Sequence, residues 1–381
     1  MFWVQALTEV KVLNVVSTIF YVYRGLNLSQ IFYLAIAFAA VSVLTEIPSS
    51  YLADKWSRKK LIIISLFIGA IYWFLNINAH SFSAFLVATS LYALAYSIMS
   101  GTDEALVYDT AKELGEETNS LKKLGQFYSG QRIFKIITPI IAVLLAKNLT
   151  DWQFNLIISI DIIANLIAIF LASKIVEPEH HLKVEKIESG VMLDAVKLLS
   201  HNPKLLSLIL NRSLVFVSSF AIWRISSDYF YGLGIPILFI GLVTSFNQLT
   251  IFIFNLNSHY WLRNFSSARI INYLNLVNLI VVSLFLLNQI LFKNWAFSLF
   301  LYYIILASET IRWPYFSDLF NKNSFSYNRA TTLSLASFLN SLLQIFIFTI
   351  GSTLVSLNIA YLFAMSLAMV LTVNLFFKTQ E

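Results

Sequence analysis

The sequence predicts an all-α membrane protein of twelve transmembrane helices arranged as two pseudo-symmetric six-helix bundles. Three observations carry this. Hydrophobic residues make up 58% of the 381 positions and charged residues only 12%, about half the charged share of a soluble domain. The apolar residues come in blocks of about 20, the length a helix needs to cross a hydrocarbon core of about 30 Å. One long polar connector, 174–203, divides the blocks into two sets of six.

The first block, 3–23, contains Glu9 and Lys11 and runs on through Phe20. It lacks a small-residue cleavage site, so it reads as a span and not as a removable leader. The other first-half spans are 30–53, 61–77, 82–109, 124–146 and 152–173. The connector 174–203 holds Pro178 and Pro203 and is rich in charge. Spans 204–229, 236–257, 269–288, 294–318, 328–354 and 357–377 follow. The domain division is therefore 1–173, a 174–203 linker, and 204–381. Lipid offers the backbone no hydrogen-bond partners, so each span is helical, and the blocks lack the alternation of a barrel strand.

Lys and Arg set the orientation. The connectors 24–29, 78–81, 147–151, 230–235, 289–293 and 355–356 hold three basic residues, Arg24, Lys147 and Lys293. The opposite side holds seventeen, beginning with Lys55, Arg58, Lys59 and Lys60. Excess basic charge marks cytoplasmic loops, so both termini and the linker are expected in the cytoplasm of a multi-pass cell-membrane protein. The net charge of +6 is then a topology signal and does not point to nucleic acid.

Several chemistries find no support. There is no Cys, hence no thiol or disulfide framework. The five His residues fall in or beside connectors without the spacing of a helix-borne metal site. No nucleophile–base pair or phosphate loop is evident, so neither an enzyme nor a bound cofactor or metal is expected.

The halves retain a trace of repetition. Span 4 ends SGTDEALVYDT and span 10 ends SETIRWPYFSDL. In each, a membrane-embedded charge, Asp103 or Arg312, precedes a terminal Asp, Asp109 or Asp318, by six positions. Two repeated halves around a central cavity is a transporter layout.

The loop between spans 2 and 3 reads EIPSSYLADKWSRKK, Glu46 to Lys60. It resembles the cytoplasmic signature of the major facilitator superfamily, G-x-L-A-D-R-x-G-R-R/K. Leu52, Ala53, Asp54, Arg58 and Lys59 match, while Ser50 and Ser57 replace its two glycines, losing their cheap positive φ. The Glu46–Pro48 segment, GTDEALVYD and the Glu309-to-Ser337 region are similar to a bacterial exporter-like branch of that superfamily. The resemblance implies a secondary transporter of a small organic molecule, working by alternating access as a monomer in the lipid bilayer. It further implies a gating latch: Asp54 at the N-terminus of a helix, usually span 11, where the dipole favours an anion, and Arg58 reaching Asp109. The plainer alternative is that Lys55, Arg58, Lys59 and Lys60 are only a topology signal, and it is the preferred reading of Lys59 and Lys60.

Charges inside spans are costly and usually face a cavity or a partner. Asp103 and Glu104 lie about a turn and a half above Asp109, and Arg132 and Lys135 lie on span 5 at comparable depth. These four are the proton-coupling candidates. Without a His in the spans, coupling needs a carboxylate, protonated when desolvated and ionised beside a cation. Static ion pairing is the alternative, and it is the preferred reading of Glu46. Substrate-cavity candidates are Arg224 and Asp228, one turn apart on span 7, with Glu309, Arg312 and Trp313 on span 10. The Arg312 guanidinium offers a planar fork for an anionic substrate group. Trp73 and Trp223 are further pocket candidates, and Asp161, Asp228 and Glu309 are reserve coupling acids. Proton-coupled export is the leading functional expectation. Of the antiporter-type Gly-Pro signature in span 5 only Pro139 remains. Uptake by a symporter or facilitator is therefore an alternative, as is a non-transporting sensor or scaffold.

Overall fold

A computed structural model of the chain describes residues 1–100, 102–115, 134–178, 202–256, 265–323 and 329–380. Among these residues every regular element is a helix, with no strand. Ten helices or helix pairs are long and apolar enough to cross a membrane. Two more occupy the positions of the expected fifth and tenth spans. Phe134–Leu145 (α7) is a shorter apolar helix. Trp295–Asn323 (α12) has the length, but Glu309, Arg312 and Asp318 make it more polar than the ten.

The chain divides into two compact units, Met1–Lys186 with Ile237–Ser245, and Ile187–Pro236 with Phe246–Glu381. The expected linker falls mostly outside the described residues. In the first unit the expected continuous span 3–23 is instead two helices, α1 (Phe2–Thr8) and α2 (Ser17–Tyr23), joined by a 3-10 turn at Val12–Val16. The charged Glu9 and Lys11 and the β-branched Val10, Val12, Val15 and Val16 make this stretch a poor helix. Broken backbone at membrane depth survives only where protein groups satisfy it. Here Asp161 does so, accepting from Val12 N–H at 2.8 Å and Leu13 N–H at 3.1 Å.

Helix α3 (Leu28–Lys55) opens on a capping box, Asn27 with Gln30, and carries Pro48 inside. Its 28 residues are about 42 Å of helix, longer than the hydrocarbon core. Helix α4 (Arg58–Asn78) starts at the Ser57 cap. Span 4, expected as one helix over 82–109, divides into α5 (Phe82–Met99) and α6 (Thr102–Glu113). At Ser100 ψ swings to 122°, out of the helical region, while Thr102 Oγ1 donates to the Ile98 carbonyl at 2.7 Å. The break places Asp103 and Glu104 in the first turn of α6. Helix α8 (Asp151–Ser173) completes this half. Phe20 at its core meets Phe85 edge-on and Phe154 at an angle, with centroids 5.7 and 5.3 Å apart, arrangements favoured by the ring quadrupole.

The second half begins with α9 (Pro203–Gly232), with Pro203 in its first turn and Asn202 as cap. Helices α10 (Ile237–Leu256), α11 (Ser267–Leu287), α12, α13 (Arg329–Leu357) and α14 (Ile359–Phe376) follow. The connector expected at 289–293 is a π-helical turn, Asn288–Phe292, ending on a left-handed Lys293. Buried Asn288 secures it, donating to the Asn294 carbonyl and Ser298 Oγ at 2.9 and 2.7 Å. Phe67, Phe74 and Phe170 point outward, each about three-fifths exposed, as lipid-facing residues do.

Candidate functional site

The two helix breaks of the first unit meet around a polar cavity of about 330 Å³. Span 1 contributes Gln5, Thr8, Glu9 and Lys11; α4 contributes Ser65 and Trp73; α8 contributes Asn165. Tyr92 and Tyr96 on α5 and Asp103 and Glu104 on α6 complete its chemistry. A continuous span 1 and span 4 would keep their backbones regular here. The breaks instead bring charged side chains of both to one chamber.

Glu9 is the centre of an ion triad. Its Oε2 lies 3.4 Å from Lys11 Nζ and 3.3 Å from Lys135 Nζ. Lys135, expected beside the span 4 acids, is thus held by Glu9 on span 1, and Arg132 lies outside the described residues. Asp103 is only 7% exposed, and its Oδ1 accepts from the Glu104 N–H at 2.8 Å. Among the described residues no cation forms an ion pair with it. Glu104 is exposed within the same helical turn. Trp73 is a buried wall of the cavity, packed against Tyr72, which stacks on Tyr92; both centroid separations are 4.6 Å. Glu9 and Lys11 were visible as charges within a span. The break that turns them inward was not, because Asp161, which holds it, is far away in sequence.

A second cluster lies at the junction of α4 and α6. Arg58 and Asp109, both buried, form an ion pair, and Arg58 Nη1 also donates to the Ala105 carbonyl at 2.9 Å. Glu177, in the chain that follows α8, caps α4. It accepts from the Arg58 and Lys59 N–H groups at 2.7 and 2.9 Å and from Ser57 Oγ at 2.6 Å. An anion at a helix N-terminus meets free amides and the positive end of the dipole. Sequence reasoning missed Glu177, whose only mark is its position in a charged connector. Asp54 lies in the last turn of α3, and its side chain is outside the described residues. Glu46 is half-buried on α3.

In the second unit, Arg312 is 1% exposed. Its Nη1 bonds Glu309 at 2.6 Å and its Nη2 bonds Asn211 Oδ1 at 2.9 Å. Asn275 donates to the same Asn211 oxygen. The fork expected to face a substrate anion is turned to protein partners on α9 and α12. Trp313 is half-exposed and carries the Arg212 guanidinium over its ring at 3.8 Å. Arg224 and Asp228 are half-buried on α9, and Trp223 stacks on Phe220 at 5.2 Å. Asp318 accepts from Ser267 Oγ at 2.6 Å. In both halves, then, the acid ending the fourth span bonds a side chain at the start of the third: Arg58 in one and Ser267 in the other.

The Major Facilitator Superfamily profile matches residues 6–348. No curated protein matches the chain in sequence. Solved structures are similar in fold. The nucleoside transporter NupG superposes with a TM-score of 0.79 at 15% identity, over 99% of this chain and 96% of that one. A bacterial homologue of the iron transporter ferroportin, inward-facing, gives 0.74 at 15% identity, over 99% and 96%. A D-xylose–proton symporter gives 0.74 at 12% identity, over 100% and 97%. With a family profile spanning both halves, the chain belongs to the Major Facilitator Superfamily and is a multi-pass membrane transporter, not an enzyme.

Proposed function

We propose that the protein is a proton-coupled secondary transporter of a small organic molecule, working by alternating access as a monomer in the cell membrane, with both termini cytoplasmic. The observation that carries this is the polar cavity among membrane-spanning helices, with three carboxylates and a lysine on its wall. Charges are kept at such depth where they bind, relay or pair. Neighbours in fold include transporters of nucleosides, D-xylose with protons, and peptides, which supports a small organic solute.

Asp103 or Glu104 carries the coupling proton in this reading. Glu9, Lys11 and Lys135 set the local field, and Arg132 is a further tuning cation. The Arg58–Asp109 pair, with Asp54, is the cytoplasmic latch. Glu309 and Arg312 are bonded to each other, and Arg312 also to Asn211, which favours a packing role for them. Arg224, Asp228 and Trp313 are the cavity candidates of the second half. Export is the direction of the branch the sequence resembles. The D-xylose–proton symporter fold favours uptake as the second reading.

Counterflow of candidate solutes in proteoliposomes, with and without an imposed pH gradient, tests this. Wild-type protein accumulates solute against its gradient, and the gradient polarity that drives accumulation separates export from uptake. Asp103→Asn or Glu104→Gln abolishes gradient-driven accumulation and leaves exchange. If both single variants and the double variant keep full gradient-driven transport, these acids do not couple. Complete absence of counterflow would favour the sensor or scaffold alternative.

A further inference from the structure

We infer that the cavity within the first unit is a binding site for a small organic monocation, an ammonium on an apolar or aromatic body, with Asp103 as its counter-charge. The carboxylates on the cavity wall come first. Glu9 is already satisfied by two ammonium groups. Asp103 is not: it is more than nine-tenths buried, lines the cavity, and has one oxygen bonded within its own helical turn. An isolated buried carboxylate is costly; the coupling proton relieves that cost in one state, and a ligand cation would relieve it in the other.

The walls distinguish an organic cation from an inorganic one. No group of three metal-ligating side chains occurs among the described residues. The volume, about 330 Å³, is far larger than an ion and sits at the small end of ligand pockets, which span roughly 300–1,000 Å³. Trp73, Tyr92 and Tyr96 line it beside Leu66 and Met99. Aromatic faces attract ammonium groups and also cover an apolar body. Gly69 keeps the α4 wall close to α8: a Cβ there would stand 3.2 Å from the Asn165 amide nitrogen.

Calling this ligand a substrate rests on the transport reading, but its binding is measured at equilibrium and does not. The probes are phenethylammonium, methylammonium and choline, with 2-phenylethanol and phenylacetate as neutral and anionic counterparts of the first. Calorimetry on the purified full chain in detergent reads affinity, and thermal unfolding verifies that each variant is folded. At least one of the ammonium probes binds wild type at least about tenfold more tightly than either counterpart. Asp103→Asn weakens it at least about tenfold, while Asp103→Glu stays within a few-fold. Equal or tighter binding of the neutral or anionic probe overturns the assignment. So does undiminished binding to folded Asp103→Asn, no binding of any ammonium probe, or a response to calcium or magnesium alone. Should Asp103→Asn not fold, the comparison of probes on wild type still decides. Cation binding without counterflow would keep the site and sink the transport reading; counterflow of other solutes without cation binding would do the reverse.

Discussion

Replacing Asp161 tests how the broken first span is held. The residue sits within α8, 1% exposed, and its two carboxylate oxygens accept from the consecutive amides of Val12 and Leu13. Those amides lie just past the break at Glu9–Lys11, where no helical carbonyl is in place to receive them. Hydrogen bonds to a charged partner contribute roughly 1.5–3 kcal/mol each. Two of them put the loss in Asp161→Leu at about 3–6 kcal/mol before relaxation. Rewinding of the span around residues 9–12 would recover part, leaving an expected net loss of about 3 kcal/mol, or roughly a hundredfold in the unfolding equilibrium. Asp161→Asn keeps one acceptor and turns an NH₂ toward the other amide, so it loses about half as much. Thermal and dodecyl sulfate unfolding of purified variants measure the loss. Hydrogen exchange at Val12 and Leu13 locates it, and should accelerate there before it does in α4 or α5. Asp161→Leu within about 0.5 kcal/mol of wild type, with protection of both amides unchanged, would refute the reasoning.

Other perturbations address separate links. Arg58→Ala leaves Asp109 buried without its ion partner, and such losses run to about 3–5 kcal/mol. Together with Asp54→Asn it should shift the protein toward inward-facing states, read by distances between spin labels at cytoplasmic helix ends; unchanged distributions with lost transport would give these residues another role. Gly241→Ala should destabilise by about 1–3 kcal/mol, because its Cβ would stand 2.6 Å from the Val143 methyls and 2.7 Å from the Pro139 carbonyl oxygen. Adding Val143→Ala should relieve only part, since the backbone oxygen stays; a neutral Gly241→Ala in thermal unfolding would contradict this packing. The chain has no Cys, so Gly190→Cys should react with an impermeant maleimide only after cells are opened. Labelling from outside intact cells would reverse the proposed topology.

Some of the site was legible in sequence and some was not. The loop matching the family signature pointed to Arg58 and Asp109, whose side chains meet in the structure. Asp103 and Glu104 stood out because carboxylates are rare at membrane depth, and both line the cavity. The weak repeat of spans 4 and 10 acquires geometry through Asp109 and Asp318, each bonded to the start of a third span. Arg312 stood out equally, yet Glu309 and Asn211 occupy its fork. A basic residue that recognises a ligand and one that secures a helix contact look alike in a sequence.

The number and placement of apolar blocks, the sidedness of the basic residues and the family signature follow from composition along the chain. They do so because lipid forces the backbone to pair within each segment. The breaks in spans 1 and 4 with the cavity they frame, the Glu9–Lys135 pair and the Glu177 cap on α4 are decisions of the tertiary structure. A hydropathy block reports only whether a segment can cross the membrane. Whether its helix is interrupted depends on a distant acceptor such as Asp161, 149 residues from Val12, being present to take the amides that the interruption frees.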